Sequence, residues 1–171
     1  LNTERDAVYA RAAGVLGALR GRGETVATAE SLTGGLIGAT LTRVPGASYA
    51  FRGGIIAYAT DVKRSVLGVS GELLERHGAV HPDVAAQMAR GAREITGSSY
   101  GVAVTGVAGP EPQDGQPVGT VYLGVHGPDG LSRVRALRLA GDREAIREAT
   151  AGEALAFLGE LLGLPKPEHP H

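Results

Sequence analysis

The chain has 171 residues, 43% hydrophobic and 20% charged, with a formal net charge of −1. That size suits one globular domain burying roughly two-thirds of its unfolded surface, and the charge balance offers no basic footprint for nucleic acid. The lack of cysteine excludes disulfides, thiol nucleophiles and thiolate metal sites. No apolar run approaches the roughly 18 residues of a membrane span and no signal-like stretch precedes the first helical pattern, so cytoplasm is the expected location. The start at Leu1 leaves a longer parent chain open.

Thr3 can cap a first helix whose apolar positions Val8, Ala12, Val15, Leu16 and Leu19 keep helical spacing, with Gly21 and Gly23 ending it. Thr25 to Ala29 reads as a short buried strand. Glu30, Ser31 and the run Leu32-Thr33-Gly34-Gly35 follow, and then an amphipathic helical pattern with Leu36, Ile37, Thr40, Leu41 and Val44. A strand running into a helix N-terminus places Ser31 at the mouth of an α/β sheet, where unpaired backbone N–H groups favour an anion or a developing oxyanion. The plainer reading is that Ser31 or Thr33 caps the helix. Glu30 is a candidate for a buried carboxylate orienting the turn.

Pro45 to Ser48 forms a turn, and Tyr49 to Ala59 reads as a second strand whose Gly53-Gly54 pair suggests a bulge or a close backbone approach. Thr60-Asp61 can cap a short helix holding Lys63, and a further helix from Ser70 to His77 stops at Gly78. Pro82 opens a helix with Val84, Ala85, Met88, Ala92 and Ile95 on one face. Ser99 to Thr105 is a third strand, followed by Gly106-Val107-Ala108-Gly109-Pro110 and a polar, turn-rich segment, Glu111 to Pro117, expected to be a mobile loop. Val118 to Val125 and Leu131 to Leu139 flank Gly127-Pro128-Asp129-Gly130, a hairpin signal. Gly141-Asp142 begins the last helix, with Ile146, Ala149, Leu155, Leu158 and Leu162 as its stripe, and the tail from Pro165 to His171 is expected to be disordered. Helices interleaved with strands and one hairpin predict a single α/β three-layer domain with a mixed sheet over residues 1–164.

Three strands stop at a small or polar residue followed by glycines or a helix start: at Ser31, at Tyr58 through Lys63, and at Thr105-Gly106. In open α/β sheets the ligand crevice lies outside the carboxyl ends of the strands, so adjacent parallel strands would bring these ends together. Ser31 and Lys63 could then form a nucleophile–base pair, provided that Lys63 has its pKa lowered, with Tyr58 bridging or relaying a proton. A solvated helix lysine is the plainer alternative. Only one other lysine exists, Lys166, against 15 arginines. The glycine-flanked nucleophile elbow, the phosphate-loop lysine motif and His-Glu-x-x-His are all absent from the sequence. His77 and His81 are interrupted by Gly78, and Arg143 and Arg147 are candidate phosphate ligands.

Several segments together resemble the CinA C-terminal domain family, whose characterised enzymes are nicotinamide mononucleotide deamidases. They are Ala-Glu-Ser-Leu-Thr-Gly-Gly at 29–35, Gly-Gly-Ile-Ile-Ala-Tyr at 53–58, Lys63, His-Gly-Ala-Val at 77–80, Val-Thr-Gly-Val-Ala-Gly-Pro at 104–110, Pro-Val-Gly-Thr-Val at 117–121 and Gly-Asp-Arg at 141–143. The resemblance runs from about Glu4 to Leu162. It implies hydrolysis of the substrate's carboxamide to the acid and ammonia, without metal or other cofactor. Ser31 would be the nucleophile, Lys63 the base and Tyr58 an assistant. Thr33, Gly34, Gly35, Thr105 and Gly106 would surround the oxyanion or substrate, and Arg143 would meet the phosphate. It also implies a three-layer α/β/α sandwich with a mixed, mostly parallel sheet, homo-oligomers, a small nucleotide as partner, and neither membrane nor nucleic acid. Three positions depart from the family pattern: Glu111 to Gln116 replaces a glycine-rich stretch, His81 stands for the usual Ser, and Thr60 for the usual Asn. The alternative is a non-catalytic nucleotide-binding module linked to competence or DNA damage.

Overall fold

The computed structural model describes residues 3–166. Besides a second 3-10 turn (Pro128–Gly130) in the hairpin, its elements are α1 (Thr3–Arg22), β1 (Val26–Glu30), α2 (Leu36–Thr42), a 3-10 turn (Ala47–Tyr49), β2 (Phe51–Ile56), α3 (Thr60–Ser65) and α4 (Gly71–His77). Then follow α5 (Pro82–Thr96), β3 (Tyr100–Gly106), β4 (Thr120–His126), β5 (Ser132–Arg138) and α6 (Arg143–Leu161). One five-stranded sheet has the order β2-β1-β3-β4-β5. β1 pairs in parallel with both β2 and β3, while β3–β4 and β4–β5 are antiparallel. Four strands therefore share one direction and only β4 is reversed, the mixed α/β sheet expected from the interleaved pattern.

Alternation along the strands divides the core in two. Val26, Val102, Val104, Val121, Leu123 and Val125 face one way and pack with α1, α2 and α6 through Leu19, Ile37, Leu41, Ile146, Leu155 and Leu158. Ala27, Ala29 and Ala103 face the other way, against Met88, Ala89 and Ala92 of α5 and Leu67, Val69 and Leu74 around α3 and α4. The second layer is shallow because the strands carry small residues there. A Cβ on Gly101 would lie 1.9 Å from the Ala89 carbonyl oxygen, and one on Gly124 would lie 2.4 Å from that of Ala85. Helix α5 therefore lies almost directly on the sheet backbone.

Several local expectations change. Thr3 lies inside α1 and not at its cap. β2 is shorter than predicted, since Tyr49 belongs to the 3-10 turn and the chain leaves the sheet after Ile56. The register does shift beside Gly53, a bulge, and a Cβ on Gly54 would meet the Thr28 hydroxyl at 2.3 Å. Ala59, not Thr60 or Asp61, stands at the N-cap of α3. Ile95 keeps helical spacing but is 54% exposed, and Ala149 is exposed while Thr150 is buried. Spacing sets a side chain's angle around the helix axis, not whether a neighbour covers it at that height. The tail lies outside the described residues from residue 167 on. Among the described residues no helix is long and apolar enough to cross a membrane.

Candidate active site

The register of the three parallel strands aligns their carboxyl ends, with Glu30 opposite both Ile56 and Val104. The Ser31 N–H donates to the Val104 carbonyl at 3.2 Å, and the Ala57 N–H donates to that of Glu30 at 2.9 Å. Ser31, the Ala57-Tyr58 segment and Thr105-Gly106 are thus brought side by side, the convergence predicted from the shared pattern of strand ends.

Lys63 projects from α3 into this junction and is only 1% exposed. Its Nζ donates to Ser31 Oγ at 2.9 Å, to the Ala57 carbonyl at 2.8 Å and to the Tyr58 carbonyl at 3.0 Å. Burial lowers its pKa from the ordinary lysine value to about 8, against an opposing pull from the Asp114 carboxylate. The three acceptors have a chemical consequence. As an ammonium, Lys63 has one N–H for each of them. Once neutral, two N–H groups remain on the carbonyls, and the lone pair faces the Ser31 hydroxyl. The site can therefore take a proton from Ser31 without moving a side chain.

Glu30 determines why Ser31 is available. Helix α2 begins after Gly35, in the left-handed region at φ 103°, and has no capping side chain at that position. The buried Glu30 carboxylate takes that role, accepting from the Ile37 N–H at 2.8 Å, the Gly38 N–H at 3.0 Å and the Thr33 hydroxyl at 2.6 Å. Neither Ser31 nor Thr33 caps the helix. The expectation of an anion site at the α2 N-terminus is corrected by the same contacts, because its leading amides already serve a carboxylate. The Gly34 N–H donates to the Ser31 carbonyl at 3.1 Å. Thr33, Gly34 and Gly35 do not line the cavity.

That cavity, of about 310 Å³, opens beside Ser31 and Leu32 and is walled by Tyr58, Ala79, Thr105, Gly106 and Arg143. Its remaining wall is the segment Val107 to Gln113. The Tyr58 side chain is 61% exposed and its hydroxyl accepts from Arg143 at 3.2 Å. It is the Tyr58 carbonyl, not the phenol, that touches Lys63. Arg143 also donates to the Gly109 carbonyl at 2.6 Å. Arg147, a candidate phosphate ligand, instead donates to the Leu32 carbonyl at 2.9 Å and the Thr33 carbonyl at 3.1 Å, bracing the turn from behind. The Leu32 N–H has no acceptor among the described residues. The Thr105 hydroxyl donates to the Ala79 carbonyl at 2.8 Å. His81 caps α5 by accepting the Asp83 N–H on Nδ1 at 3.1 Å.

A sequence profile of the CinA C-terminal domain matches residues 9–162. The chain belongs to the CinA C-terminal domain family. It is 54% identical over 155 residues to a CinA-like protein of Frankia casuarinae, covering 90% of this chain and 36% of that protein. A CinA-like protein of Synechococcus sp. is 51% identical over 148 residues, covering 84% of this chain and 35% of that one. The chain thus spans about a third of the length of these relatives. Among solved structures, the competence/damage inducible protein CihA of Agrobacterium tumefaciens superposes with a TM-score of 0.87 at 37% identity, covering 92% of this chain and 96% of that one. The competence damage-inducible protein A (ComA) of Klebsiella pneumoniae gives 0.88 at 34%, covering 91% and 97%. The Ser31–Lys63 pair lies within the part that matches the CinA profile.

Proposed function

We propose that the chain is a serine amidohydrolase that converts nicotinamide mononucleotide to nicotinic acid mononucleotide and ammonia. The observation that carries this reading is the 2.9 Å contact between Ser31 Oγ and a Lys63 Nζ that is buried and held by two backbone carbonyls. The choice of substrate rests on the family resemblance and on an arginine at the cavity wall. In the acylation step neutral Lys63 takes the Ser31 proton while Oγ bonds to the carboxamide carbon. The tetrahedral oxyanion that results lies beside the Leu32 N–H, which has no other acceptor among the described residues. The Lys63 ammonium then passes its proton to the departing nitrogen, the C–N bond breaks, ammonia leaves and an ester remains on Ser31. Water, deprotonated by Lys63, attacks that ester. The ester C–O bond breaks, and the proton returns to Ser31. Tyr58 and Arg143 hold the nucleotide's outer end, the guanidinium having donors left for a phosphate beyond its two contacts.

Ammonia release from nicotinamide mononucleotide, with and without chelator, tests this in the wild type, Ser31→Ala and Lys63→Ala. The expected result is release that survives chelator and falls by orders of magnitude in both variants. Full activity in Ser31→Ala would remove the mechanism. Tight nucleotide binding without release by the wild type would favour a regulatory binding module.

A further inference from the structure

The segment Glu111 to Gln116 is built around a defined turn. Gln113 and Gln116 exchange both backbone hydrogen bonds, at 3.1 and 2.8 Å, across Asp114 and Gly115, whose φ values are 51° and 74°. Positive φ at both central positions is the type I′ arrangement that Asp-Gly favours. From this tip the Asp114 carboxylate reaches back across the cavity wall and accepts the Ala79 N–H at 2.9 Å. The seat for that carboxylate is a bare Cα, since a Cβ on Gly78 would lie 2.5 Å from Asp114 Cγ. Ala79 is held through its other backbone group as well, its carbonyl accepting the Thr105 hydroxyl. Ala79, Thr105 and residues 111–113 all line the cavity.

We propose that Asp114 is a positioning residue, a latch that fastens the 111–116 turn to the Gly78-Ala79 segment and so holds the cavity wall in place over the bound nucleotide. The proposal rests on the amidohydrolase reading of the same site. The Asp114 charge also acts on Lys63, so a seated turn and the base share one local field. Asp114 touches neither Ser31 nor Lys63, and its effect is on how tightly the substrate is enclosed.

Two substitutions separate the latch from the charge. Asn at 114 tolerates positive φ and keeps an acceptor for the Ala79 N–H, whereas Asp114→Ala removes it. A lost hydrogen bond to a charged group corresponds to about tenfold or more in local opening. The expected result for Asp114→Ala is Ala79 amide exchange at least about tenfold faster and a KM for nicotinamide mononucleotide raised by a similar factor. Its kcat stays within about threefold of wild type, as does Ser31 acylation by a small activated ester that does not reach the turn. Asp114→Asn should restore both Ala79 protection and KM. Unchanged exchange and KM in Asp114→Ala would overturn the latch, and so would an Asn variant that behaves like Ala. Loss of folding in Asp114→Ala would also overturn it, in favour of a purely structural role. If the wild type releases no ammonia, the amidohydrolase reading falls, and Ala79 exchange alone decides the latch.

Discussion

Replacing Lys63 with methionine should change how folding stability responds to alkaline pH, by an amount that follows from the site. Lys63 is 1% exposed and its pKa is lowered to about 8 in the folded protein, against about 10.4 in an unfolded chain. Between those values the unfolded state binds more protons than the folded one, so wild-type stability rises with pH. Below pH 8 both states carry the proton and the penalty of burying the ammonium is present in full. Above about pH 10.4 both are neutral and it is gone. Integrated from pH 7 to 10, the gain is on the order of 2.5 kcal/mol. The methionine variant lacks this gain, while the other titrating groups cancel in the comparison. The Ala57 and Tyr58 carbonyls lose their donor in the variant, but that loss does not depend on pH. Urea unfolding of both proteins at pH 7, 8, 9 and 10 should therefore show wild type gaining on Lys63→Met by about that amount, most of it above pH 8. A difference constant to within about 0.5 kcal/mol across that range would mean that Lys63 is not held at a lowered pKa, and the lysine-base argument would lose its physical basis.

The same titration should appear in catalysis: kcat/KM for nicotinamide mononucleotide should rise with pH and level off above about 8, and a profile flat from pH 6.5 to 9.5 would count against a neutral-lysine base. Glu30→Ala leaves the Ile37 and Gly38 N–H groups without their carboxylate, so the urea midpoint should fall by the equivalent of about 3 kcal/mol and kcat by at least about tenfold. Wild-type stability in that variant would show that the carboxylate does not organise the turn. Arg143→Ala should raise KM more than it lowers kcat, because its place is at the cavity wall and not at the Ser31–Lys63 contact. A fall in kcat alone, with KM unchanged, would move Arg143 into the chemical step.

Much of this protein can be read along the chain. Period-two and period-3.6 patterns gave the order of strands and helices, since each depends on one side chain's direction relative to its neighbours in sequence. The strand-then-small-residue pattern at Ser31, Tyr58 and Thr105 was sufficient to propose one site, because parallel neighbours leave their carboxyl ends at the same edge. Tertiary structure decided the rest, wherever two groups distant in sequence compete for one partner. Glu30 takes the amides of α2, which frees Ser31 and closes the helix N-terminus to an anion. Arg147 is drawn to the Leu32 and Thr33 carbonyls behind the turn. Asp114, in a segment that reads as a mobile loop, finds the Ala79 N–H because Gly78 leaves room for it. Which acceptor each donor reaches depends on distances across the fold, and those are set only when the sheet, the helices and the turns pack together.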